Sequence, residues 1–88
     1  MRKKINYKGR VQGVGFRGNT EKAVKCFDVT GYVKNLANGS VELLLEGCSV
    51  EVSKAEHSVE GRMRGYWTEK KSEELPGDHH WQEFKIHY

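Results

Sequence analysis

The first segment of the chain alternates between apolar and polar residues. Ile5 and Tyr7 fall on one side, and the lysines and the asparagine beside them fall on the other. This period of two residues predicts a half-buried strand over residues 3–9. Residues 10–16 contain two glycines and show no such period, which predicts a loop.

Helical spacing follows the loop. Between about residues 18 and 28, apolar side chains recur on one helix face at Ala23, Val24 and Phe27. Asn19 or Thr20 is available as a cap near the N-terminus of this helix. A weaker helix is predicted over residues 49–60, where one apolar stripe is formed by Val52, Ala55 and Val59.

The remaining segments favour strands. Residues 31–36 predict a short strand, and the turn over residues 37–40 contains Asn-Gly, which tolerates the positive φ of tight hairpins. Val41, Leu43 and Leu45 then alternate with Glu42 and Glu46, which predicts another strand over residues 41–46. Further strands are predicted around residues 63–71 and from Phe84 to Tyr88.

The resulting order is β-α-β-β-α-β with an additional C-terminal strand. It predicts an α+β fold, the ferredoxin-like βαββαβ sandwich, in which an antiparallel sheet of four to five strands carries two helices on one face. A chain of 88 residues has room for one core, so residues 1–88 are expected to form a single domain.

Charge and composition narrow the range of partners. The chain has 15 lysines and arginines against 12 acidic residues, and this mild excess favours small anions over cations. No stretch approaches the roughly 18 apolar residues of a membrane span, and the N-terminus lacks the apolar core of a signal peptide. A cytoplasmic location without membrane contact is therefore expected. Cys26 and Cys48 lack zinc-ligand spacing and are either free or bridged.

The segment from Gly9 to Arg17, Gly-Arg-Val-Gln-Gly-Val-Gly-Phe-Arg, is the most informative. Its glycines permit positive φ, which lets several amide groups converge on one anion. The following helix adds the positive end of its dipole, and Arg17 adds charge-assisted hydrogen bonds. The segment therefore predicts a metal-free phosphate site, with a tight turn and a surface arginine as the alternative.

Two nucleotide-binding motifs do not fit this segment. Residues 13–18 match G-x-G-x-x-G, but no acidic residue follows about 20 positions later, as a dinucleotide site requires. The Gly-Lys-Ser/Thr ending of a Walker motif is missing as well. Further along, Asn35 stands near the end of a predicted strand, where a carboxamide either shapes the turn or positions a water without acting as a base.

The two segments together resemble the acylphosphatase family. The motif G-x-V-Q-G-V-x-F-R is met from Gly9 to Arg17, and the motif G-aromatic-V-K-N-x-x-x-G-x-V with a later glycine is met from Gly31 to Gly47. The chain departs from the family pattern at Tyr7, where an aliphatic residue is favoured, at Gly18-Asn19, where bulkier residues are common, and at Asp28, where the first helix often ends in glycine.

The resemblance implies metal-independent and cofactor-free hydrolysis of the carboxyl–phosphate bond of acyl phosphates to carboxylate and inorganic phosphate. It implies that Arg17 grips the substrate phosphate and that Asn35 orients the attacking water, as the two catalytic residues. The implied phosphate-binding residues are Val11, Gln12, Gly13, Val14, Gly15 and Phe16, together with Arg17. The expected partners of a monomeric protein are a small acyl phosphate and inorganic phosphate, which is both product and competitive inhibitor.

Three other functions have less support. The histidines offer no third ligand at metal-binding spacing; they are His57, His79, His80 and His87. An RNA-recognition module shares the predicted element order, but its third strand needs aromatic residues, which residues 41–46 lack, so no nucleic acid is expected. An acylphosphatase-like module that acts on carbamoyl phosphate within a larger protein is a third possibility, against which the initial methionine and the full set of elements favour an independent enzyme.

Overall fold

The computed structural model describes residues 1–88. Its elements are, in chain order, β1 (Arg2–Gly9), α1 (Phe16–Val24), β2 (Thr30–Asn35), β3 (Val41–Glu46), α2 (Ser49–Arg62), β4 (Trp67–Leu75) and β5 (Phe84–His87). The strand order in the sheet is β4-β1-β3-β2-β5. Each helix therefore connects two parallel strands that are separated by a third, antiparallel strand, which confirms the predicted ferredoxin-like arrangement.

The fifth strand makes the sheet mixed. The pairings among β1, β2, β3 and β4 are antiparallel, whereas β5 lies parallel to β2. Residues 76–83 carry the chain along one end of the sheet, from β4 at one edge to β5 at the other. The last strand consequently runs beside β2 in the same direction, and its end comes close to the end of β2.

The apolar core lies between one face of the sheet and the two helices. Alternate residues of β1 and β3 point into it, as their sequence patterns predict. The three residues expected to anchor α2 are all fully buried: Val52, Ala55 and Val59. Neither helix combines the length and the hydropathy that crossing a bilayer takes.

Tyr7 is fully buried in this core. Its ring lies 5.5 Å from that of Phe16 and 5.7 Å from that of Trp67, measured between centroids. Burial, and then the adjacent Glu60 carboxylate, raises the pKa of the Tyr7 hydroxyl far above its ordinary range, so the neutral hydroxyl donates to Glu60 at 2.8 Å. The core thus accepts a tyrosine here because its one polar atom has a partner.

The first helix begins and ends earlier than its pattern predicts. It starts at Phe16 rather than about residue 18, and its N-cap is Gly15, with φ 76° and no side-chain hydrogen bond to the cap. Neither Asn19 nor Thr20 is the N-cap residue, and Thr20 is buried instead. A left-handed glycine lets the loop turn directly into the helix, so a capping side chain is not needed.

The fourth strand begins later than predicted. Residues 63–66 form turns between α2 and the strand. The Met63 amide donates to the Val59 carbonyl at 3.0 Å, and the Met63 side chain is buried. The strand itself covers Trp67–Leu75, against a predicted range of about 63–71.

Glu46 ties the segment that leads to β5 to the end of the sheet. Its buried carboxylate accepts hydrogen bonds from Arg2 Nε at 2.6 Å and from the amides of His80 and Trp81 at 2.8 and 2.9 Å. Burial alone would raise the pKa of Glu46, but these donors outweigh it and hold the pKa below its usual value. The position of β5 therefore depends on a buried, ionised carboxylate.

We expect Glu46→Gln to lower the free energy of unfolding by about 1–3 kcal/mol at neutral pH, because a neutral group replaces a charged acceptor. A carboxyl whose pKa is lowered by folding stabilises the protein above its unfolded pKa, near 4.5, and loses that contribution as the pH falls through the folded value. Urea unfolding should therefore show a difference from wild type that shrinks in acid. The exposed Glu69→Gln is the control, and a difference independent of pH would contradict the assignment.

Candidate active site

A cavity of about 240 Å³ opens between the β1–α1 loop, the end of β2 and the end of β5. Its lining residues are Val11, Gly13, Gly15, Phe16, Arg17, Gly18, Asn35, Ile86 and Tyr88. None of these contributes an acidic, histidine or cysteine side chain. The polar groups on offer are backbone amides, one guanidinium, one carboxamide and one phenol.

The loop that borders the cavity leaves its backbone donors free. None of the amide groups of residues 11–18 donates to an acceptor within the protein. Gly13 and Gly15 have φ of 78° and 76°, left-handed values that residues with a Cβ adopt only with strain. Free amides at the start of a helix attract an anion, because their partial positive charges add to the helix dipole.

Arg17 lies in the first turn of α1 and is half-buried. Its Nη1 is 3.4 Å from the carbonyl oxygen of His87, and its guanidinium carbon is 4.7 Å from the centroid of the Tyr88 ring. It forms no ion pair with a carboxylate. Only neutral groups hold the guanidinium, so its charge is available to an anion in the cavity.

Asn35 is the last residue of β2 and borders the same cavity. Its side-chain oxygen is buried and has no hydrogen-bond partner. A buried carbonyl left unpaired costs about 1–3 kcal/mol, and such groups in native proteins call for a water or a ligand that completes them. The residue borders the cavity, but this oxygen itself is not exposed to it, so the side chain must rotate before a water molecule in the cavity can donate to the oxygen.

The residues singled out from the sequence divide into two groups. Arg17 and Asn35 share the cavity with four of the loop residues: Val11, Gly13, Gly15 and Phe16. The side chains of Gln12 and Val14 lie elsewhere. Gln12 donates to the carbonyls of Leu36 at 2.8 Å and Ser40 at 3.0 Å, and Val14 packs against the core. Gln12 thereby joins the loop to the β2–β3 turn, while the backbone amides of both residues stay free.

Three lining residues were not expected from the sequence: Gly18, Ile86 and Tyr88. The alternation of Phe84, Ile86 and Tyr88 predicted a strand but not its neighbour. Because β5 pairs with β2, with Ile86 opposite Val33, its last residues come beside Asn35. Only a prediction of that pairing could have found them. Elsewhere in the chain, no group of three or more His, Cys, Asp or Glu side chains is arranged to hold a metal ion.

The family model that matches this chain and two known proteins that it resembles in sequence carry the same description. The family model described as Acylphosphatase matches residues 3–86. The chain is 53% identical over 49 residues to an acylphosphatase of Syntrophus aciditrophicus, covering 56% of this chain and 51% of that relative. It is 37% identical over 79 residues to an acylphosphatase of Marinobacter nauticus, covering 88% and 85%. The matched region thus spans about half the length of the first relative and most of the second.

The fold has solved counterparts as well. A crystal structure of acylphosphatase from Bacillus subtilis superimposes with a TM-score of 0.89 at 30% identity, covering 99% of this chain and 98% of that one. Sequence and structure therefore agree over nearly the whole length of the chain. The chain belongs to the acylphosphatase family, whose members are hydrolases that act on acyl phosphates.

Proposed function

We propose that this chain is an acylphosphatase, which hydrolyses the carboxyl–phosphate bond of a small acyl phosphate without a metal ion. The observation that carries the proposal is a single cavity bordered by free loop amides, by the unpaired cation Arg17 and by Asn35, whose buried carboxamide oxygen has no partner. We further propose that residues 1–88 act as one domain, as a monomer and in the cytoplasm.

In this proposal the loop and Arg17 bind the substrate phosphate. A guanidinium forms charge-assisted hydrogen bonds to phosphate oxygens, each worth about 1.5–3 kcal/mol. The start of α1 adds about 0.3–1 kcal/mol for an anion. Because Arg17 gives up only a long hydrogen bond to a carbonyl and contact with an aromatic ring, little is lost when it turns to the phosphate.

Asn35 would orient the attacking water, whose O–H donates to the carboxamide oxygen once the side chain has turned that oxygen toward the cavity. The water oxygen bonds to phosphorus while the bond from phosphorus to the acyl oxygen breaks, and the electron pair leaves with the carboxylate. The water's proton passes to a phosphate oxygen of the substrate. A carboxylate needs no general acid to leave, which agrees with a cavity bordered by no acidic or histidine side chain.

Arg17→Gln is expected to lower kcat by about 10²-fold or more, as the removal of one preorganised donor does, and to weaken phosphate binding. Hydrolysis of benzoyl phosphate and calorimetric titration with inorganic phosphate measure the two effects. Lys22→Gln, which removes an exposed positive charge from the last turn of the same helix, is the matched control and should keep both values. Unchanged phosphate affinity in Arg17→Gln would remove this residue from the proposal.

Asn35→Ala is expected to reduce turnover by about 10²-fold or more, because the water loses its orientation, while phosphate affinity is retained. Its stability should fall by no more than about 0.5 kcal/mol, since the deleted oxygen has no partner within the protein. Asn38→Ala is the matched control. Its side-chain oxygen accepts from the Ser40 amide at 3.0 Å, so its loss should reduce stability and leave turnover intact. A folded Asn35→Ala protein with wild-type rates would refute the role.

Inorganic phosphate is expected to inhibit competitively, because it occupies the same amides and the same guanidinium as the substrate phosphate. Activity should be unchanged after exhaustive treatment with EDTA, since the proposed steps use no metal ion. Steady-state rates at several phosphate concentrations, with and without chelator, measure both. Activity that appears only after a divalent metal is added would contradict the mechanism.

A further inference from the structure

Asn19 makes two hydrogen bonds to one carbonyl in the phosphate-binding loop. Its backbone amide donates to the Gly15 oxygen at 2.9 Å, as the first hydrogen bond of α1. Its side-chain Nδ2 donates to the same oxygen, also at 2.9 Å. The Gly15 carbonyl is therefore held from the helix side by two donors of a single residue.

The direction of this carbonyl decides where the next amide points. In a planar trans peptide the C=O and the following N–H point in opposite directions. With the Gly15 oxygen turned toward α1, the Phe16 N–H points away from the helix, as expected for a free donor at a helix N-terminus. Gly15 and Phe16 both border the cavity. A glycine has several accessible backbone conformations, so this peptide needs an external constraint to keep one orientation.

Arg62 fixes the side chain that supplies this constraint. It is the last residue of α2, and its Nε donates to Asn19 Oδ1 at 3.0 Å. A carboxamide accepts through its oxygen and donates through its nitrogen. With the oxygen occupied by Arg62, the Asn19 nitrogen faces Gly15. The end of the second helix is thereby connected to the loop through two successive side-chain hydrogen bonds.

We propose that Asn19 and Arg62 are positioning residues that hold the Gly15–Phe16 peptide with its N–H available to the substrate phosphate. The inference rests on the proposed function, because it assumes that the loop amides bind that phosphate. Arg62 is exposed and Asn19 is half-buried, and neither belongs to the apolar core. Their contacts therefore bear on the geometry of the loop more than on global stability.

The test is a double-mutant cycle on Asn19→Ala and Arg62→Ala, read as the inhibition constant of inorganic phosphate and as KM and kcat for benzoyl phosphate. Asn19→Ala should raise the inhibition constant and KM about 5- to 20-fold, and Arg62→Ala about 2- to 5-fold, because binding must now order the loop. The change in kcat should be under about threefold. The double variant should match Asn19→Ala, since Arg62 acts through Asn19.

Arg64→Ala is the matched control, because it removes the same charge from an exposed position two residues further along. It should stay within about twofold of wild type. Thermal unfolding verifies that each variant is folded, and the exposed Arg62 keeps the test valid if Asn19→Ala does not fold. As an independent readout, the ¹⁵N resonances of Gly15 and Phe16 should broaden in phosphate-free Asn19→Ala and not in Arg64→Ala.

The possible outcomes distinguish a failure of the positioning role from a failure of the proposed function. An active wild type with unchanged phosphate affinity in Asn19→Ala would overturn the positioning role and leave the proposed function intact. If the effects of the two single variants add in the double variant, Arg62 does not act through Asn19 and has no positioning role. A wild type that neither hydrolyses benzoyl phosphate nor binds phosphate would overturn the proposed function and this inference together.

Discussion

The anion-binding character of the cavity depends on a row of backbone amides that stay unpaired within the protein. Residues 11–18 offer these donors at the start of α1, and no acceptor of the protein competes for them. Free donors cost stability unless solvent or a ligand reaches them, so they have to border an open cavity. Two left-handed glycines make this geometry possible, and the core residue Phe16 fixes where the loop enters the helix.

The rest of the fold keeps this loop and its two side chains in register. Gln12 joins the loop to the β2–β3 turn, and Asn19 holds the Gly15 carbonyl from the helix side. On the far side of the cavity, the His87 carbonyl at the end of β5 and the ring of the following Tyr88 lie beside Arg17. The site is thus assembled by polar contacts between segments that the core alone does not fix.

One of those segments is positioned by a charge buried at the opposite end of the sheet. Glu46 receives donors from the start of β1 and from the segment that crosses to β5, so its carboxylate stays ionised despite burial. Acidic side chains of α2 are likewise paired with a cation, because Lys70 donates to both Glu56 and Glu60. A helix with few apolar residues is held in this way by paired charges as well as by its short apolar stripe.

Local patterns predicted most of the fold, and they singled out Arg17, Asn35 and four loop residues that the structure brings to one cavity. The alternation in β1 and β3, the hairpin turn and the stripe of α2 depend on nearest neighbours, and they appear as expected. The boundary of α1 was missed because a glycine in the left-handed conformation leaves no side-chain capping signal. The start of β4 was missed because the Met63 amide still donates to a carbonyl of α2. An apolar residue that precedes strand-forming residues gives no sign of this hydrogen bond in the sequence.

The sequence by itself determined the chemistry on offer: a loop able to free its amides, a cation at the helix start and a carboxamide at a strand end. These are properties of short segments, set by backbone freedom and side-chain type. Only the tertiary structure decided that β5 runs parallel to β2 and brings Ile86 and the following Tyr88 to the border of the cavity, and that Arg62 reaches Asn19 from the other helix. Such contacts join residues tens of positions apart, and their geometry follows from how the whole sheet and both helices pack rather than from any local pattern.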